Sequence, residues 1–111
     1  MTKLHYDYLE AGADIIKTNT FGANGLKFND SSEYGLDGIV TAAMENAKNA
    51  VGKAGKKGFI ALDIGPTGKL LKPLGDLGFE EAYRLFSDVV KIGAREGADL
   101  VLIETMSDSY E

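Results

Sequence analysis

Three short stretches concentrate the side chains that could do chemistry: Lys17-Thr18-Asn19-Thr20-Phe21-Gly22-Ala23-Asn24, Asp63-Ile64-Gly65-Pro66-Thr67-Gly68 and Glu104-Thr105-Met106-Ser107-Asp108. Together they offer hydroxyls, a carboxamide and carboxylates. Each lies at the end of an apolar run, and a carboxylate at the end of a buried strand is costly unless a cation or hydrogen-bond donors meet it. Asp63 and Glu104 are therefore candidates to grip the ammonium of a ligand. Thr18, Asn19 and Thr105 could hold a carboxylate or a hydroxyl. Plainer readings stand beside these. Asp63 can hydrogen-bond the backbone of its own turn. Thr18 and Thr20, taken to alternate in direction, leave one of the two to pack in a strand wall, where β-branching suits it anyway.

Composition narrows the chemistry. The chain has 111 residues, 12 Lys and Arg against 17 Asp and Glu, one His, no Cys and a formal net charge of −5. Without cysteine there is no disulfide, no thiol nucleophile and no thiolate metal site. His5 alone cannot complete a nitrogen-and-sulfur site, and it is expected on the outer surface of a helix. The acidic balance argues against a nucleic-acid partner, which would need clustered Lys and Arg. Gly65-Pro66-Thr67-Gly68 lacks the ending of a phosphate-binding P-loop and signals a turn. Lys56-Lys57, Lys69 and Lys72 read as solvated charges. The longest apolar runs, such as 100–103, fall far short of the roughly 20 residues of a membrane span. The start also lacks the apolar core of a signal peptide, so the chain reads as cytoplasmic, with no membrane partner.

The elements that must position these residues follow from periodicity. Ala11-Gly12-Ala13-Asp14-Ile15-Ile16 is echoed by Glu96-Gly97-Ala98-Asp99-Leu100-Val101. Each reads as a helix end, a left-handed glycine cap and a buried strand. Gly58-Phe59-Ile60-Ala61-Leu62-Asp63-Ile64-Gly65 is a third such run, so strands are expected near residues 14, 59 and 99. A stripe of Ile39, Val40, Ala43, Ala47, Ala50, Val51 and Ala54 predicts a helix over 36–54. Its end is marked by Gly55-Lys56-Lys57-Gly58. Phe79, Ala82, Tyr83, Phe86, Val89, Val90, Gly93 and Ala94 predict another over 79–96. Leu4, Tyr8 and Leu9 place a helix at the start, capped by Thr2, and the tail is open to one more. The order α-β-α-β-α-β, with outer strands as buried-looking as the middle one, predicts an α/β fold. We expect about three parallel strands of a partial (β/α)₈ TIM barrel, with residues 1–111 a section of a domain of about 250 residues. In such barrels reactive groups sit past the C-terminal ends of the strands, where all three polar stretches fall.

The strings 8–24, 63–68 with Pro73-Leu74-Gly75, and 103–108 resemble the homocysteine S-methyltransferase family, most closely its cobalamin-dependent methionine synthase branch. The resemblance covers essentially the whole chain. It implies methyl transfer to the sulfur of homocysteine, held as a thiolate on a zinc ion bound by three cysteines. In the branch named it also implies methylcobalamin recharged from methyltetrahydrofolate. By the same resemblance Thr18 and Glu104 match positions that bind the amino-acid end of homocysteine, Glu104 by taking its ammonium, with Asn19 and Asp63 as further candidates. The zinc cysteines of the family have no counterpart here. The chain is therefore expected to supply part of a homocysteine pocket and, alone, to be catalytically silent. A section of another barrel enzyme, or a small non-enzymatic α/β binding module, are the alternative readings.

Overall fold

The structure, a computed structural model, describes residues 1–28, 35–55 and 57–111; Lys56, expected to be a solvated charge, lies outside them. The chain runs α1 (Thr2–Glu10), β1 (Ile15–Lys17), α2 (Leu36–Ala54), β2 (Phe59–Ile64), α3 (Phe79–Arg95) and β3 (Leu100–Ile103). The three strands form one parallel sheet in the order β1-β2-β3. This is the expected α/β class, three neighbouring strands of a partial β/α barrel.

The repeated phrase works identically at both sites. After α1, the Gly12 N–H donates to the Leu9 carbonyl and the Ala13 N–H to that of Tyr8. After α3, Gly97 donates to Ala94 and Ala98 to Gly93. Both are Schellman ends, and Gly12 and Gly97 have φ of 109° and 91°, which a side chain would resist. In both places four residues separate the end of the helix from the start of its strand. Asp99 then joins β3 to β2: its carboxylate accepts from the Ile60 N–H at 2.8 Å and its own N–H donates to the Ile60 carbonyl at 2.9 Å.

Register decides which side chains share a face. Ile16 pairs with Ile60, and Leu62 with Val101. Ile16, Ile60, Leu62 and Ile64 turn to the helices and join Leu9, Val40, Met44, Ala47, Ala50 and Val89 in the core. The opposite face carries Ile15, Lys17, Phe59, Ala61, Asp63, Leu100 and Leu102.

Some expectations need correcting. The outer strands are not buried as expected: β1 keeps only Ile16 in the core and leaves Ile15 53% exposed, and all four residues of β3 are open, Ile103 at 65%. Apolar composition reports which surfaces would gain from cover, and among the described residues nothing covers these. Phe79 and Tyr83 of the α3 stripe are exposed for the same reason. Thr2 is not a cap, since it opens α1 and its hydroxyl donates to Asn46 Oδ1 on α2. The tail after Ile103 forms turns and no helix.

Helix α3 lies close against the sheet at Gly93, where an added Cβ would lie 2.5 Å from Leu62 Cδ2. Gly93→Ala should therefore destabilise the chain by about 1–2 kcal/mol in urea unfolding, the overpacking cost exceeding the helix-propensity gain. Leu62→Val, which shortens the opposing side chain, should recover part of that loss. Strictly additive losses in the double variant would contradict the contact.

Candidate functional site

Lys17 ends β1, Asp63 is the penultimate residue of β2, and Glu104 follows β3 directly. Lys17 pairs with Ala61, two residues before Asp63, and Asp63 pairs with Leu102, two before Glu104. With a side-chain period of two, all three project from the face away from the helices, each one step further along. The ladder continues past the strands, Thr18 N–H donating to the Ala61 carbonyl and Glu104 N–H to that of Ile64. The result is an ammonium between two carboxylates. Lys17 Nζ lies 2.6 Å from Glu104 Oε1 and 3.5 Å from Asp63 Oδ2.

Asp63 is held by a ring of hydrogen bonds through its own backbone. Its N–H donates to Thr18 Oγ1 at 3.2 Å, and Thr20 Oγ1 donates to its carbonyl at 2.6 Å. The two hydroxyls are 2.7 Å apart. Because the Thr20 proton is used on the carbonyl, the Thr18 hydroxyl must donate to Thr20. Both threonines are 1% exposed. They face the same way, contrary to expectation: residues two apart in an extended chain share a face, and the turn at Asn19, where the Thr20 N–H donates to the Thr18 carbonyl at 2.9 Å, holds them together. Such a three-residue turn brings its flanking side chains to one side and sends the central one, exposed Asn19, outward.

Charge follows from this placement. Asp63 is 2% exposed, and its Oδ1 has no hydrogen-bond partner among the described residues. Burial pushes its carboxyl above the usual range, with the neighbouring Glu104 adding to the effect. Glu104 is held below its usual range by the Lys17 hydrogen bond, and that same bond raises the Lys17 ammonium.

The group opens on a cleft of about 780 Å³ lined also by Thr18, Asn19, Thr105, Phe21, Leu4, His5 and Tyr8. All four residues singled out for substrate binding, Thr18, Asn19, Asp63 and Glu104, thus border one cavity. Thr105 adopts φ of 61°, a left-handed conformation costly for a β-branched residue, directly after Glu104. Gly65 permits the β1 and β2 loops to meet, since a Cβ there would lie 2.5 Å from the Phe21 carbonyl oxygen. Thr67 is occupied elsewhere, its N–H and hydroxyl both donating to Glu111 Oε1.

Two residues were underread in the sequence. His5 is 6% exposed, with Nε2 lacking a hydrogen-bond partner among the described residues. It shares the buried face of α1 with Leu9, four residues on, while Leu4 and Tyr8 are exposed; that spacing was the available signal. Lys17 had no assigned role, although the strand period from Ile15 already put it on the face opposite Ile16. For a metal the residues do not fit. The chain has no cysteine, and among the described residues no group of three or more His, Cys, Asp or Glu is placed to hold an ion.

Asp63→Asn tests the cost of this burial. A carboxyl raised in the folded state contributes its stability below its unfolded value, near 3.8, and loses it as pH rises through the folded value. The amide variant should therefore unfold later than the wild type at pH 7, by about 1 kcal/mol, and the gain should vanish toward pH 4. Equal stability at both pH values would contradict a strained, ionisable Asp63.

The whole chain, residues 1–111, matches the family described as homocysteine S-methyltransferase. With the strand ends, their carboxylates and the cleft in place, the match is more than a likeness of strings: the chain belongs to the homocysteine S-methyltransferase family.

Proposed function

We propose that this chain forms the amino-acid end of a homocysteine pocket in a methionine synthase type of methyltransferase. Asp63 and Glu104 receive the substrate ammonium. Thr18 and Asn19 border it, Thr18 acting through the hydroxyl ring that fixes Asp63 and Asn19 through its exposed carboxamide. The observation that carries this reading is Asp63 Oδ1, a buried acceptor without a partner beside a cleft large enough for an amino acid. A buried acceptor left unmet is costly, and an incoming ammonium removes that cost while binding.

The family reaction places a methyl group on the sulfur of homocysteine, at the other end of the molecule. The zinc that the family resemblance implies does not fit the residues of this chain, so no step carried by them runs through it. Methylcobalamin and methyltetrahydrofolate as the methyl source, and a cytoplasmic setting, belong to the same proposal for the complete protein. We read residues 1–111 as a section of the larger barrel, a reading supported by the open apolar face of β3. No helix among the described residues is long and apolar enough to cross a membrane.

Titration of the ¹⁵N-labelled chain with L-homocysteine checks the assignment. Amide shifts should concentrate at Thr18, Asn19, Asp63, Glu104 and Thr105, and Glu104→Gln should weaken binding about tenfold or more. With a methyl donor added, the chain alone should form no methionine. Shifts elsewhere, undiminished binding to the Gln variant, or turnover would each contradict the proposal.

A further inference from the structure

The carboxylate pair that would take a ligand's ammonium already holds one, that of Lys17. We infer that Lys17 is the specificity-determining residue of this site: it yields its place to the ammonium of an α-amino acid and pairs instead with that ligand's carboxylate, so that the site selects zwitterions over simple amines. The inference rests on the ammonium-binding reading above and adds the residue that reads the other charge.

Mobility is divided unequally within the group. The Asp63 side chain is 3% exposed and its backbone is clamped by the threonine ring, whereas the Lys17 side chain is 54% exposed on a four-carbon stem. Lys17 is therefore the member that can move. Its bond to Glu104, at 2.6 Å, is partly solvated, the kind of ion pair that solvent screens and that exchanges partners at small cost. Asp63 Oδ1 offers an acceptor that Lys17 leaves unused.

Charge arithmetic supplies the selectivity. An arriving ammonium brings a second cation to the two carboxylates and competes with Lys17 for them. If the ligand carries a carboxylate on the adjacent carbon, the displaced Lys17 finds a partner a few ångströms away. If it does not, Lys17 is left to solvent and repels the newcomer. Asn19 and Thr105 are exposed on the same cleft and offer an amide and a hydroxyl donor to such a carboxylate.

The test compares L-homocysteine with 3-mercaptopropylamine, the same molecule without its carboxylate, by NMR titration of the wild type, Lys17→Met and Lys17→Arg. Thiol ligands can be kept reduced freely, because the chain has no cysteine to protect or confuse the reading. Lys17→Met should bind the amine more tightly and the amino acid more weakly, lowering the preference for the amino acid by about tenfold or more. Lys17→Arg should retain most of it. A merely structural lysine would shift both affinities by the same factor, and that result, or no shift in either, would overturn the inference. If L-homocysteine binds no better than L-alanine while the preference still depends on Lys17, the homocysteine reading fails and the role of Lys17 stands.

Discussion

The burial of one carboxylate organises this structure. Asp63 stands at the end of the central strand with almost no access to water, and a charge so placed must be met by a cation, by donors or by a proton. The fold meets it incompletely. Lys17 approaches one oxygen at 3.5 Å, while the other oxygen has no hydrogen-bond partner among the described residues. What is secured instead is its position, through a closed path of hydrogen bonds from its own N–H, through two threonine hydroxyls, back to its own carbonyl. A rigid backbone carrying an unsatisfied side-chain acceptor is the feature on which the proposed ammonium site rests.

The rest of the chain serves that placement. The two glycine-capped helix ends deliver β1 and β3 to either side of β2, and the parallel register steps their polar ends forward along one face. The helices take the other face, where Gly93 lets α3 close on Leu62. A slip of one residue in either pairing would turn Lys17 or Glu104 toward the helices and leave Asp63 without its neighbours. Site and core are therefore specified by the same register. The left-handed Thr105 is a local strain beside the cleft, whereas Gly65, lacking a Cβ, lets the end of β2 approach Phe21 without one.

Much of this was legible from residue order. The helix over 36–54 and the strand starts followed from periodicity and from glycine caps, which are local signals. Asp63 and Glu104 stood out because charges rarely follow apolar runs without a reason. What escaped depended on long-range geometry. The turn at Asn19 that ties Thr18 to Thr20 is announced by no propensity, although their common direction follows from the two-residue strand period. The role of Lys17 required knowing the register of three strands; the His5–Leu9 spacing marks a shared face of α1, but only its packing against α2 buries that face. The open faces of β1 and β3 were misjudged because an apolar sequence records a need for cover, whereas exposure depends on what is there to provide it.

The central claim is that three strand ends build a receptor for the charged end of an α-amino acid. A crystal structure of the chain with L-homocysteine tests it most directly. The account predicts the ligand ammonium within hydrogen-bonding distance of Asp63 and Glu104, with Lys17 turned to the ligand carboxylate. A ligand bound elsewhere, with Lys17 still bridging the two carboxylates, would contradict it.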